Sequence, residues 1–155
     1  MGEIIPITAL AEWRQKQKKT IVATNGCFDI LHVGHLRYLK EARLLGDRLV
    51  VGLNGDASVQ ALKGAERPIN PEAHRAELLA ALNVVDAVVI FPEKRATHFL
   101  SILKPHIYVK GGDYTVDQLD SEEVAAVKGG GGEIKILPLV PGQSTTEFLK
   151  KISSL

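Results

Sequence analysis

Residues 24–35 read TNGCFDILHVGH and place two of the chain's five histidines, His32 and His35, three positions apart around Gly34. One histidine just before a helix and one in its first turn, separated by a residue with no side chain, can bring two imidazole donors onto a phosphate chain while a nucleoside packs against the glycine. The free N–H groups and positive dipole end of a helix N-terminus favour the same anion. Other readings of these residues exist. His35 falls on the apolar stripe of Tyr38, Leu39, Ala42 and Leu45, where a core histidine with one hydrogen bond would also fit. Zinc binding by His32, His35 and Cys27 lacks the i, i+4 histidine spacing and any accompanying acidic motif. Chance alone gives H-x-G-H in about one such chain in a hundred, and its position after the first strand makes coincidence rarer.

Positioning such a motif calls for a strand, a glycine-containing turn and a helix in an open α/β sheet. Short β-branched runs at 19–24 (KTIVAT), 48–53 (RLVVGL), 86–91 (DAVVIF), 106–109 (HIYV) and 133–140 (EIKILPLV) alternate with segments of helical period. Runs apolar at consecutive positions suit strands covered on both faces. The pattern predicts one Rossmann-like domain over 1–155, an open, mostly parallel five-stranded sheet with helices on both faces and a helical extension over 1–18. Gly46 is placed to end the first crossover helix in a left-handed conformation. Asn70 and Pro71 are placed to cap and start a helix presenting Leu78, Leu79 and Leu82 to the core. Further helices are expected at 8–18, 56–62, 96–103, 121–127 and 144–153. KGGGG (128–132) reads as a flexible connection, and RQKQKK (14–19) as a solvated last helical turn.

A formal net charge of +1 gives no global attraction to nucleic acid or membrane, so any anion site must be local. No 18-residue apolar run and no signal-peptide pattern occurs, and Cys27, the single cysteine, excludes an internal disulfide and reads as a small buried residue. These features point to a cytoplasmic protein with no membrane or nucleic-acid partner.

FDILHVGHLRYL resembles the signature of the nucleotidyltransferases that share a histidine-x-glycine-histidine motif, a group that includes cytidylyltransferases. More narrowly, TNGCFDILHVGHLRYLKEARLLGDRLVVGLNGDAS, LKGAERPINP, VKGGDYT and PGQSTT together resemble the adenylyltransferases of ADP-heptose biosynthesis, from about Lys19 to Ile152. The resemblance implies adenylyl transfer from ATP to a sugar 1-phosphate, D-glycero-β-D-manno-heptose 1-phosphate, giving ADP-heptose and pyrophosphate. It also implies Mg2+ held mainly by the nucleotide phosphates rather than by the protein, a homodimer, and a product that feeds lipopolysaccharide or another glycan.

The same resemblance implies that His32, His35 and Lys63 are catalytic, the histidines on the triphosphate and Lys63 as a mobile cation between sugar phosphate and α-phosphate. A solvated surface charge is the plain alternative for Lys63. Nucleotide contacts are implied for Gly26, Phe28, Asp29 and Gly34, for Lys110, Gly111, Gly112 and Asp113, and for Ser144, Thr145 and Thr146. Acceptor contacts are implied for Asn54, Arg67 and Arg75, although Arg67 could be a loop charge and the Arg75 stem could cover the core edge. A tight turn would also explain VKGGDY, and an N-cap at least one of the three hydroxyls.

The sugar kinase domain often fused upstream in that family has no counterpart in these residues, which implies a stand-alone form served by a separate kinase earlier in the pathway. FPEKRATHF (91–99) replaces a more acidic segment, and Gln143 stands where an aromatic residue or cysteine is frequent. Both lie near regions that could choose the acceptor. The rival functions are a cytidylyltransferase acting on glycerol 3-phosphate or another small phosphate, and a non-enzymatic nucleotide-binding module.

Overall fold

A computed structural model describes residues 1–112, 114–139 and 144–155. The strands are β1 (Glu3–Ile4), β2 (Ile21–Gly26), β3 (Arg48–Asn54), β4 (Ala87–Phe91), β5 (Ile107–Gly111) and β6 (Glu133–Leu137). The helices are α1 (Leu10–Gln15), α2 (Val33–Arg43), α3 (Asp56–Lys63), α4 (Glu72–Ala80), α5 (Thr97–Leu103), α6 (Ser121–Gly129) and α7 (Thr145–Ser153). All six strands are parallel in the order β1-β4-β3-β2-β5-β6.

Alternation along each strand supplies both faces. Ile21, Ala23, Val50, Val89 and Phe91 pack with α1, α5 and α6, whereas Val22, Leu49, Val51 and Val88 pack with α2 and α4. The chain moves outward from β2 in one direction to β3 and β4, then crosses to β5 and β6 on the other side. The carboxyl ends of β2 and β5 therefore flank a topological switch point, where an open α/β sheet leaves a crevice.

All five expected strands are present, with boundaries shifted by at most three residues. The sixth, β1, is a two-residue edge strand against β4, too short to carry an alternating pattern, and it replaces the first part of the expected helical extension. Gly46 does not adopt a positive φ. A Cβ there would stand 2.7 Å from Val22 Cγ2, so close approach to β2 is what requires glycine. Helix α4 starts one residue late, at Glu72, because Asp56 Oδ1 accepts the Glu72 N–H (2.9 Å) while the Asn70 amide is spent on Asp29 O (2.7 Å). Leu78 is exposed, on the solvent side of α4. The glycine run ends α6 in a hydrogen-bonded turn, Gly131 taking φ +85° and Gly132 N–H reaching Val127 O.

Candidate functional site

A cleft of about 610 Å³ opens over the carboxyl ends of β2, β3 and β5. Its centre is the β2–α2 junction. His32 is the N-cap of α2, and its Nδ1 accepts the Gly34 N–H at 3.1 Å. His35 Nδ1 accepts the His32 N–H at 3.3 Å. The two imidazoles thus form a reciprocal capping box, satisfying two donors that a helix start leaves open.

Chemistry follows from that use of Nδ1. An Nδ1 that accepts from a backbone N–H carries no proton, so each neutral ring is an Nε2–H donor. Burial holds the His32 pKa below its ordinary value. Burial, and then the neighbouring His32, bring that of His35 down to about 4. The rings stack with centroids 3.8 Å apart, and Phe148 of α7 stacks on His32 at 5.3 Å. His32 Nε2 is buried and has no hydrogen-bond partner among the described residues. An unpaired buried donor of this kind costs about 1–3 kcal/mol until an acceptor arrives.

One side of the cleft is braced by two charged residues. Asp29, almost wholly buried, accepts Arg67 Nε at 2.7 Å and the N–H groups of Ile69 and Asn70 at 2.9 Å each. Burial pushes its carboxyl pKa up, but these donors outweigh it and the net shift is downward. Arg75 is fully buried and does not line the cleft. Its guanidinium donates to Asn70 O, Cys27 O, Asn54 O and Asp56 Oδ1, all within 2.7–2.8 Å. Those bonds tie the ends of β2 and β3 to the 67–70 loop, leaving the group no free direction toward an acceptor.

Asn54 lies at the cleft floor with its amide donating to Ser58 Oγ (2.9 Å). Lys63 is the last residue of α3, exposed, facing the cleft, and in no ion pair among the described residues. Cys27 is half-buried and also lines the cleft, its thiol pKa raised by burial. Phe28 takes φ +45°, and its ring fills the space over Gly26, where a Cβ would lie 2.9 Å from Phe28 Cε2.

The other side is formed by β5 and α7. Lys110 and Gly111 line the cleft; Gly112 stands just outside it at φ +139°. Ser144, Thr145 and Thr146 line it as well, with Ser144 Oγ accepting the Glu147 N–H (3.1 Å) as N-cap. Capping thus uses one of the three hydroxyls. Asp113 and Gln143 lie outside the described residues. The cleft therefore gathers His32, His35, Lys63, Arg67, Lys110 and the α7 start, and leaves Arg75 and Gly112 behind its wall.

Several lining residues are not among the expected site residues: Lys94 and Arg95 of the 91–99 segment, Asn25 and Tyr38 within the histidine motif's own stretch, and Glu123. Glu123 had a visible signal: an acidic residue four positions before Val127 on a helix's apolar stripe. Lys63, Arg67, Lys94, Arg95 and Lys110, against the carboxylates of Asp29 and Glu123, give the lining a net positive charge although the chain is nearly neutral.

The chain matches the family described as cytidylyltransferase-like over residues 23–151. It is 50% identical to the bifunctional protein HldE of Geotalea uraniireducens over 146 residues, 94% of this chain and 29% of that protein. It is 52% identical to that of Pseudomonas syringae pv. syringae over 135 residues, 87% of this chain and 28% of that protein. The chain thus spans a little under a third of the curated relatives it matches. Among solved structures it resembles a lipopolysaccharide core biosynthesis protein of Thermoplasma volcanium, with TM-score 0.64, 32% identity, and coverage of 79% of this chain and 97% of that one. A pantoate-beta-alanine ligase of Francisella tularensis shares the fold, with TM-score 0.61 at 15% identity, over 100% of this chain and 79% of that one.

Proposed function

The chain belongs to the cytidylyltransferase-like family, and from that premise we propose that it is an adenylyltransferase that joins ATP to D-glycero-β-D-manno-heptose 1-phosphate, giving ADP-heptose and pyrophosphate. The observation that carries the chemistry is the histidine pair, whose Nδ1 atoms are spent on backbone N–H groups so that two neutral Nε2–H donors remain for phosphate. Kinship with proteins named HldE and with a lipopolysaccharide core biosynthesis protein supports the acceptor and the pathway.

In this reading an oxygen of the sugar 1-phosphate attacks the α-phosphorus of ATP. One P–O bond forms, the bond from the α-phosphorus to the bridging oxygen of the β-phosphate breaks, and pyrophosphate leaves with the electron pair. No general base is needed, because a phosphomonoester with a second pKa of about 6 is already largely dianionic at neutral pH. Rate then comes from positioning and from charge placed where it develops. His32 and His35 donate to the triphosphate; the N–H groups and hydroxyls at the start of α7 hold its β- and γ-phosphates from the other side. Lys63 bridges the acceptor phosphate and the α-phosphate, with Arg67 on the acceptor side. Asp29 and Arg75 keep this side of the cleft in place, and Arg75, fully buried and bonded on every side, does not reach the acceptor.

Among the described residues no group of three or more His, Cys, Asp or Glu side chains could cage a metal ion. Mg2+ would thus come with the nucleotide, its ligands mainly phosphate oxygens, and supply further charge neutralisation. No helix among the described residues is long and apolar enough to cross a membrane. The proposal places the activity in the cytoplasm, in a homodimer that takes its sugar 1-phosphate from a sugar kinase reaction. Incubating the protein with ATP, Mg2+ and heptose 1-phosphate tests it: ADP-heptose and pyrophosphate should appear in equal amounts by mass spectrometry and 31P NMR. Product from CTP and glycerol 3-phosphate alone would replace it with the cytidylyltransferase reading; nucleotide binding without product would leave a binding module.

A further inference from the structure

Glu123, on α6, is 5% exposed and lines the cleft. Its Oε1 accepts the N–H of Ala96 at 3.1 Å, holding the loop that carries Lys94 and Arg95. Its Oε2 lies 3.2 Å from the Tyr108 hydroxyl and 3.8 Å from Lys110 Nζ. Asn25 Oδ1, at the end of β2, accepts from Lys110 Nζ (3.3 Å) and faces the same Tyr108 hydroxyl. Asp120, the N-cap of α6, pairs with Arg95 at 3.6 Å. One buried carboxylate thus joins the β4–α5 loop to β5, and Asn25 at the end of β2 shares its partners Tyr108 and Lys110.

A carboxylate that touched substrate phosphate would repel it, and this one is withdrawn behind the cations. Its cost in desolvation is met by its partners rather than by a ligand. Lys110 and Lys94 are long, flexible cations, and a lysine ammonium acts strongly on a phosphate only when its position is fixed.

We propose that Glu123 is a positioning residue of the nucleotide cleft, holding Lys110 directly through its Oε2 and the Lys94–Arg95 loop through the Ala96 amide, so that a polyphosphate meets an aimed set of cations. The inference deepens the proposed function and rests on the cleft being its nucleotide site. Charge alone and positioning make opposite predictions. Removing a negative charge from the cleft wall should tighten polyphosphate binding by simple electrostatics. Loss of positioning should weaken it.

The test is calorimetric binding of a non-hydrolysable ATP analogue to the full chain as wild type, E123Q, K110M and the double variant. E123Q keeps the shape and an acceptor for the Ala96 N–H, so it should fold. It should bind about tenfold more weakly although the chain becomes more positive, K110M should lose at least as much, and the double variant should lose clearly less than the product of the two single losses, because the Lys110 arm is shared. Tighter or unchanged binding by E123Q, or losses that multiply in the double variant, would overturn the inference, as would an effect confined to melting temperature. Wild type that binds CTP or pyrophosphate but not the ATP analogue would instead refute the adenylyl assignment, and the same four proteins compared with that ligand would still decide the role of Glu123.

Discussion

Replacing His32 by asparagine separates the two tasks that the structure gives this ring. Asparagine Oδ1 sits as many bonds from Cβ as histidine Nδ1, and asparagine is a favoured N-cap, so it can accept the Gly34 N–H now held at 3.1 Å. It has nothing at the position of Nε2. Because that nitrogen is buried without a partner among the described residues, its removal also lifts a penalty of about 1–3 kcal/mol from the free protein. Lost stacking on His35 and Phe148 opposes this gain. The asparagine variant should therefore melt within about 4 °C of wild type, or above it, at about 2–4 °C per kcal/mol for a chain of this size. Turnover should nevertheless fall about 10²- to 10³-fold, the usual effect of removing one preorganised donor. His32→Ala should lose the cap as well, about 1 kcal/mol, with the same loss of turnover. Pyrophosphate release under saturating substrates, beside thermal unfolding of both variants, measures the two effects. If His32→Asn turned over at close to the wild-type rate, the donor role would be wrong and the ring would be a cap alone.

Lys63→Ala should lower turnover about 10²-fold while melting within about 2 °C of wild type, since the side chain is exposed and makes no ion pair among the described residues; full activity with earlier melting would make it structural. Asp29→Asn removes a buried charge from Arg67 and two backbone donors, which should cost about 3–5 kcal/mol and lower the melting temperature by about 10 °C. A shift under about 2 °C would show that the 67–70 loop holds without it. Stability of the free protein should fall as the pH drops from 6.5 toward about 4, because the unfolded chain binds the His35 proton first and the folded pKa is depressed. His35→Asn should flatten that part of a denaturation-versus-pH curve, and an unchanged slope would contradict the buried neutral ring.

The motif was legible because its chemistry is local: histidines around a glycine after a strand specify a helix start and an anion site within twelve residues. Strands were legible because alternate residues serve two covered faces, and each run had to be apolar throughout. What stayed hidden depends on distant partners. Arg75 looked like a surface arginine with its stem on the core, yet its guanidinium ties together four residues from three places in the chain, Cys27, Asn54 with Asp56, and Asn70. Glu123 meets Ala96, Tyr108 and Lys110 only after α6 packs beside α5 and β5. The reciprocal histidine cap was also out of reach, because spacing puts both rings near the helix start but does not say which nitrogen is spent on the backbone. Gly46 shows the opposite error: a helix-end glycine suggested a left-handed turn, and the actual constraint was a β2 side chain too close to admit a Cβ.

The central claim is most directly tested by the ratio of specificity constants for ATP and CTP with heptose 1-phosphate as acceptor, measured by pyrophosphate release at limiting nucleotide. A mismatched base that leaves one or two buried donors or acceptors unpaired loses about 1–3 kcal/mol for each. ATP should be preferred by about ten- to a thousandfold or more. Equal or better use of CTP would contradict the adenylyltransferase assignment while leaving the histidine-centred nucleotidyl transfer intact.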